Sequence, residues 1–194
     1  HDTLAADPGP AGREIVRRHL ERALADPAFV DDHLGAHTTA PRSVLYEDPA
    51  LGFCIVAHVY DDAKGGEPHD HAGTWAIYGQ AKGTTEMTEW RKLRAPEGDK
   101  PGLVAPLKSY ALKPGMAVVY NEDTLHSPDR AGPTRLIRIE GANTDRLTRT
   151  RITRDERDGV HHVHVRGQLT FLAVPRLSRA LPAEPPTART ARST

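Results

Sequence analysis

Two histidines one residue apart, His69 and His71, stand directly behind the turn sequence Gly65-Gly66-Glu67-Pro68, and no other feature constrains the chain as much. In an extended segment alternate side chains leave the same face, so His69 and His71 project together while Asp70 points away. Two imidazoles this close can share one metal ion. The third ligand then has to come from a distant part of the chain, and His126 is placed for that role. It follows Met116-Ala117-Val118-Val119-Tyr120, an apolar run that reads as a buried strand.

The residues around these histidines carry a resemblance. HxH after a Gly/Pro turn, Gly83 beyond it, then Pro114-Gly115, an apolar strand and a single histidine resembles the paired motifs of the cupin superfamily. His69, His71 and Gly83 fill their slots in the first motif, while Trp75 or Ala76 stands where that motif has its glutamate. Gly115 and His126 fill theirs in the second, with Asn121-Glu122-Asp123 in place of Pro-x-Gly and Arg130 in place of asparagine. The resemblance covers the middle of the chain and implies an all-β, cupin-type double-stranded β-helix, a small barrel that hosts many chemistries.

The flanking sequence agrees with that expectation. Val16, Leu20, Ala23 and Leu24 recur at helical spacing among Arg13, Arg17, Arg18, Glu21 and Arg22. Asp26 and Pro27 then stop this helix and start another, whose apolar face is Phe29, Val30 and Leu34. These helices are expected to pack outside the barrel. From Arg42 the period changes, and residues 43–46, 53–60, 74–78, 84–93, 107–112, 116–120, 135–139 and 161–166 read as strands between Gly, Pro, Asp and Asn clusters. Many short strands with regular turn signals indicate a barrel or sandwich. The expected organisation is a helical segment at 1–40, a barrel domain at 41–174 with a loop at 96–102, and a mobile tail at 175–194. That tail is rich in Pro, Ala and Arg and cannot bury enough apolar surface to offset its ordering entropy.

Composition removes several classes of function. A chain of 194 residues can bury one good core. Lys+Arg 26 against Asp+Glu 26 gives no net charge, which argues against nucleic acid or a membrane surface as the partner. The single cysteine, Cys54, excludes an internal disulfide and suits a reducing compartment, so a cytoplasmic location is expected. The longest apolar run, 53–57, is far too short to cross a bilayer, and the start of the chain does not resemble a signal peptide.

Donor chemistry then narrows the metal. Three neutral imidazoles would occupy one face of an octahedron and leave positions for water, dioxygen or substrate, which suits Fe(II) and tolerates Ni, Zn, Mn or Co. Without the usual carboxylate the site carries one more positive charge, and it can accept a dianionic chelate without an unbalanced buried charge. His162 and His164 repeat the HxH pattern with no second motif to frame them; His19, His33, His37 and His58 read as ordinary histidines.

Within the superfamily, His69-Asp70-His71, a Trp-containing strand and a late single histidine resemble the thiol dioxygenases, which include cysteine dioxygenase. That branch holds Fe(II) with three histidines and adds both atoms of dioxygen to a thiolate. Arg42 sits about where the branch carries the arginine that clamps the substrate carboxylate, a task suited to a planar, permanently charged fork. An ordinary surface arginine before a strand reads the same way. The branch's Ser-His-Tyr relay is missing: on the corresponding strand, Leu136 to Glu140, Arg138 takes the His slot and Glu140 the Tyr slot. No cysteine lies near Trp75 or Ala76 for a thioether cross-link. Arg138 reads either as an anion clamp facing the metal or as half of a buried pair with Glu140.

The resulting expectation is a mononuclear non-haem iron dioxygenase. His69, His71 and His126 bind the metal, and Arg42 and Arg138 orient a small anionic substrate that is oxidised with O2. No residue stands out as a general acid or base. The alternatives are a non-redox metal-dependent cupin isomerase or lyase, and a non-catalytic small-molecule-binding cupin. The last would be favoured by Glu86, Glu89 or Glu140 filling the open metal positions. The resemblance also implies a homodimer.

Overall fold

In a computed structural model, residues 1–71, 73–93 and 104–147 are described in full. The backbone is also described at 94, 102–103, 152–157, 160–165 and 169–173. Three helices, α1 (Asp2–Ala6), α2 (Pro10–Leu24) and α3 (Pro27–Leu34), precede the strands. The strands are β1 (Arg42–Glu47), β2 (Cys54–Tyr60), β3 (Lys64–Gly65), β4 (Ala76–Lys82), β5 (Thr85–Arg94) and β6 (Gly102–Leu112). They continue with β7 (Ala117–Tyr120), β8 (Leu125–Arg130), β9 (Thr134–Glu140), β10 (Ile152–Arg157), β11 (Val160–Val165) and β12 (Leu169–Ala173). The expected tail at 175–194, and the expected loop except its last residue, lie outside the described residues.

Strand order identifies the architecture. One sheet runs β1-β2-β9-β4-β7; the other runs β10-β11-β12-β6-β5-β8-β3. From β2 to β5 the chain alternates between the sheets, and from β6 to β9 it does so again, so each half interleaves with the other. This is the order of a double-stranded β-helix, or jelly roll, and the all-β cupin-type expectation holds. The expected barrel is not closed by one continuous ladder: the sheets are separate, and the strands at two of their edges, β7 and β3, have four and two residues.

Alternation along the central strands builds two cores. On β9, Leu136, Arg138 and Glu140 share one face, and Ile137 and Ile139 share the other. The inward face joins Ala76, Tyr78, Met87, Leu112, Tyr120 and Leu136 from both sheets into a core between them. The outward face meets the helices, where Leu20, Leu24 and Leu34 pack on Ala57, Ile77, Ile137 and Ile139. The helices therefore lie outside the double sheet, as their pattern suggests.

Local signals explain the helix ends. Asp26 caps α3 by accepting a hydrogen bond from the Ala28 amide at 2.9 Å, and Pro27 follows in the first turn. Gly79 lets α2 approach: a Cβ there would meet Leu20 Cδ2 at 2.6 Å and Leu24 Cδ1 at 2.7 Å. No helix among the described residues is long and apolar enough to cross a membrane.

Candidate metal centre

His126 lies inside a strand, β8, and not merely after one as the sequence suggests. Pro128 in the middle of that strand hides it, because proline reads as a break. The HxH segment is also less regular than expected. His69 and His71 make isolated bridges, to His126 and Thr74, and belong to no extended strand. His69 and His126 exchange both main-chain hydrogen bonds, each at 2.9 Å, and this pairing brings the two parts of the chain together.

The three imidazoles converge. One ring nitrogen from each of His69, His71 and His126 lies within 4.8 Å of the others. Ring centroids are 4.6 Å apart for His69 and His126, 5.1 Å for His71 and His126, and 5.7 Å for His69 and His71. His69 is half-buried, while His71 and His126 are 4% and 0% exposed. Protonation of Nδ1 satisfies two carbonyls: His69 donates to Glu67 O at 2.8 Å and His126 to Thr124 O at 3.2 Å. Each Nε2 is then left with its lone pair turned inward, the tautomer a metal requires. Burial, reinforced by His69 and Arg138, holds His126 well below the usual imidazole range against the opposing hydrogen bond to Thr124, so it stays neutral.

The loop before His126 is fixed from outside. Arg13 on α2, 6% exposed, grips Glu122 with two bonds of 2.6 Å, donates to Asn121 Oδ1 at 2.9 Å, and lies 5.3 Å from the Trp75 ring centroid. Asp123 next to it adopts φ 61, a left-handed conformation uncommon outside glycine. Asn121-Glu122-Asp123 thus forms a turn anchored to the helix where the cupin motif has Pro-x-Gly.

A tyrosine that the sequence reading passed over sits between two of the histidines. Tyr78 Oη is 3.4 Å from His71 Nε2 and 3.4 Å from His126 Nε2. Burial raises its pKa, so Oη keeps its proton. Tyr120 stacks on His126 at 3.8 Å and joins a chain through Tyr110 to Glu89, with Oη–Oη 2.8 Å and Tyr110 Oη to Glu89 3.0 Å. Both tyrosines alternate inward on apolar strands, a position read in the sequence only as core.

The two predicted arginines meet on one carboxylate. Arg138 Nη1 lies 2.9 Å from Glu140 Oε1, and Arg42 Nη2 lies 3.2 Å from Glu140 Oε2. Of the two readings left open for Arg138, its pairing with Glu140 is therefore present. Its guanidinium also lies 4.6 Å from the Tyr78 ring centroid. Arg42 also donates from Nη1 to Asp145 and from Nη2 to Asn143, while its buried Nε has no hydrogen-bond partner. Desolvation raises the pKa of Glu140, but Arg138, two bonds from Thr144 and Arg42 outweigh it, and the net shift is downward. Cys54 lies beside Glu140, and burial pushes its thiol up to about 12.

None of the glutamates considered as further ligands joins the histidines. Among the described residues the cluster contains His69, His71 and His126 alone. Glu86 is exposed, Glu89 is bound to Tyr110 and Lys108, and Glu140 is held by the arginines. Trp75 and Ala76, the two residues at the glutamate slot of the first motif, are both buried, and neither brings a carboxylate.

No protein-family model and no curated protein matches the chain. Among solved structures, KdgF from Halomonas sp. is 21% identical over 55% of this chain and 83% of that one, with a TM-score of 0.41. A cupin superfamily protein from Desulfitobacterium hafniense is 12% identical over 53% of this chain and 76% of that one, with a TM-score of 0.37. The Cnp3 cupin domain of Schizosaccharomyces pombe is 10% identical over 57% of this chain and 68% of that one, with a TM-score of 0.42. Likeness at this level carries no weight alone; the weight rests on the chain's own strand order. That order and the histidine geometry describe a cupin-type double-stranded β-helix with a three-histidine cluster able to hold a metal ion.

Proposed function

We propose that the chain is a mononuclear metal-dependent cupin, an Fe(II) dioxygenase for a small anionic substrate, with His69, His71 and His126 as metal ligands. The observation that carries this reading is the convergence of three ring nitrogens within 4.8 Å, two of the rings buried, with no carboxylate in the cluster among the described residues. Such a donor set is neutral, and neutral nitrogen ligands suit a divalent transition metal with positions left for exogenous ligands. A bound ferrous ion would supply the redox path between substrate and dioxygen.

The chain's own residues supply orientation and charge. Glu67 and Thr124 carbonyls fix the tautomers of His69 and His126. Tyr78 Oη, protonated and 3.4 Å from two Nε2 atoms, is a donor that must turn to another acceptor once those lone pairs are committed. Arg138 places positive charge behind Tyr78. A cysteine-type substrate is disfavoured within this reading, because Arg138 and Glu140, in the relay slots, are bound to each other and Arg42 is engaged by Glu140 and Asp145.

The test is metal analysis followed by an oxygen electrode. Purified protein is loaded anaerobically with Fe(II), desalted, and offered thiol-carboxylates and diketones in air-saturated buffer. Near-stoichiometric iron with substrate-dependent oxygen uptake is expected. Turnover without oxygen uptake would replace the proposal by a non-redox isomerase or lyase. Failure to retain any divalent metal would remove the metal from the reading.

A further inference from the structure

Three arginines among the described residues are buried: Arg13, Arg130 and Arg138, at 6%, 3% and 7% exposure. Arg13 is bound to Glu122 and Arg138 to Glu140. Arg130 has no such partner. It takes part in no ion pair among the described residues, its Nε lacks any hydrogen-bond acceptor, and its guanidinium lies 4.2 Å from the Tyr60 ring centroid. An aromatic face offsets only part of the cost of taking a cation out of water. Arginine does not escape that cost by losing its proton. Such a group is built to receive an anion from outside the chain.

Its place in the fold says which anion. His126, Pro128 and Arg130 lie on the same, buried face of β8, so Arg130 points into the double sheet two side chains along from a proposed ligand. Across from it, Tyr60 and Thr134 are register partners between β2 and β9, and Thr134 Oγ1 is also buried without a partner. Arg138, further along the same face of β9, has an unpartnered Nε as well. Arg138 packs on Tyr78, whose hydroxyl touches His71 and His126. A line of inward groups therefore runs from the histidines past Tyr78 and Arg138 to Arg130, and its unsatisfied atoms include two donors on guanidinium groups.

We infer that Arg130, flanked by Arg138 Nε and Thr134 Oγ1, is a carboxylate subsite in the same interior as the three histidines. The inference rests on the proposed metal reading for its second half only. The substrate it selects has two ends: a metal-binding head for the histidines, and a carboxylate that sits deeper, against Arg130 and the face of Tyr60. A neutral chelator, or one whose single anionic group is spent on the metal, leaves Arg130 uncompensated and binds poorly.

The experiment separates the subsite from the metal by using the full chain stripped with chelator and, in parallel, loaded with metal. Malonate is the probe and malonamide its neutral control, with binding read by calorimetry and by the shift in melting temperature. The metal-free wild type should bind malonate and ignore malonamide. Arg130→Met should weaken malonate binding at least about tenfold, the loss of a charge-assisted bond. It should melt no lower than wild type in anion-free buffer and should retain metal. Arg130→Lys, which keeps the charge and loses the fork, should fall between the two, and it decides the question if Arg130→Met does not fold. Equal malonate affinity in wild type and variants overturns the inference, as does a wild type that binds no malonate. If the wild type binds malonate through Arg130 yet retains no metal, the subsite stands and the metal reading falls.

Discussion

His69 and His126 hold each other by two main-chain hydrogen bonds of 2.9 Å, so the backbone itself registers the early and late parts of the histidine cluster. The ring nitrogens converge because this bridge ties β8 to the segment that carries His69 and His71. Replacing a ring and leaving the bridge intact should therefore remove metal and keep the fold. His71→Ala and His126→Ala are expected to lower metal affinity at least about a hundredfold, since two neutral ligands hold a divalent ion poorly. Metal content after desalting, with circular dichroism as the control for folding, checks this. Full occupancy in either variant would refute the ligand assignment.

Glu140 is the pivot of the charged interior. It is fully buried, and its carboxylate meets Arg138 at 2.9 Å, Arg42 at 3.2 Å and Thr144 Oγ1 at 2.9 Å. Glu140→Ala leaves Arg42 with Asn143 and the exposed Asp145, and leaves the buried Arg138 with no ion pair among the described residues, so it should cost about 3–5 kcal/mol in urea denaturation. Glu140→Gln keeps the shape and should cost less. The double variant Arg138→Met/Glu140→Leu removes both buried charges and should recover much of the loss. A Glu140→Ala protein as stable as wild type would mean that Glu140 does not neutralise these arginines.

The residues that the sequence disclosed are those whose chemistry imposes spacing. His69, His71 and His126 stood out because ring donors that converge need particular residue types, and Gly83 because a left-handed turn favours glycine. Helices α2 and α3 were readable from Leu20, Leu24 and the Asp26-Pro27 pair, because a one-sided apolar face leaves a periodic trace. Strand β8 was not readable, since Leu125-His126-Ser127-Pro128-Asp129-Arg130 contains no β-branched residue and is interrupted by a proline. The Pro128 carbonyl nonetheless accepts from Gly66 N at 2.7 Å. Arg130 was hidden for a related reason: a charged side chain reads as surface until strand pairing shows which way it faces. Tyr78 and Tyr120 looked like core because their rings are core; Tyr78 reaches the site with its hydroxyl and Tyr120 with the face of its ring.

Acid should destabilise the fold through two carboxylates that arginines hold in their charged form. Arg13 holds the Glu122 carboxyl below its ordinary value of 4.5, chiefly through their hydrogen bonds. A carboxylate whose folded pKa is depressed stabilises the fold fully above its unfolded value and loses that contribution as pH falls through the folded one. The same sign applies to Glu140, whose shift is also downward from 4.5. Stability should be flat above about pH 5 and decline below about pH 4.5. Arg13→Ala should cost about 1–2 kcal/mol, allowing for the solvent-exposed side of Glu122, and should flatten part of that decline. It should also weaken metal binding, because the turn that presents His126 loses its anchor. Melting temperatures between pH 3 and 7 for wild type and variant, with metal titrations at pH 7, test both statements.

Two glycines in left-handed turns should respond very differently to a methyl group. Gly83, between β4 and β5, has φ +70, and a Cβ there would lie 2.3 Å from the carbonyl oxygen of Pro133 and 2.8 Å from Thr134 Cγ2. Gly115, between β6 and β7, has φ +85 with nothing within 4 Å of the added atom. Gly115→Ala therefore meets only the backbone penalty of the left-handed region, about 1–2 kcal/mol. Gly83→Ala meets that penalty and a clash with main chain that no side-chain rotation relieves, so it should cost about 3 kcal/mol or more. The clash falls on Thr134 and on the turn that joins Arg130 to it across the two sheets. Gly83→Ala should accordingly weaken malonate binding as well as stability, whereas Gly115→Ala should change stability alone. Urea midpoints for the two variants, measured beside their malonate affinities, would expose the reasoning as wrong if the order were reversed.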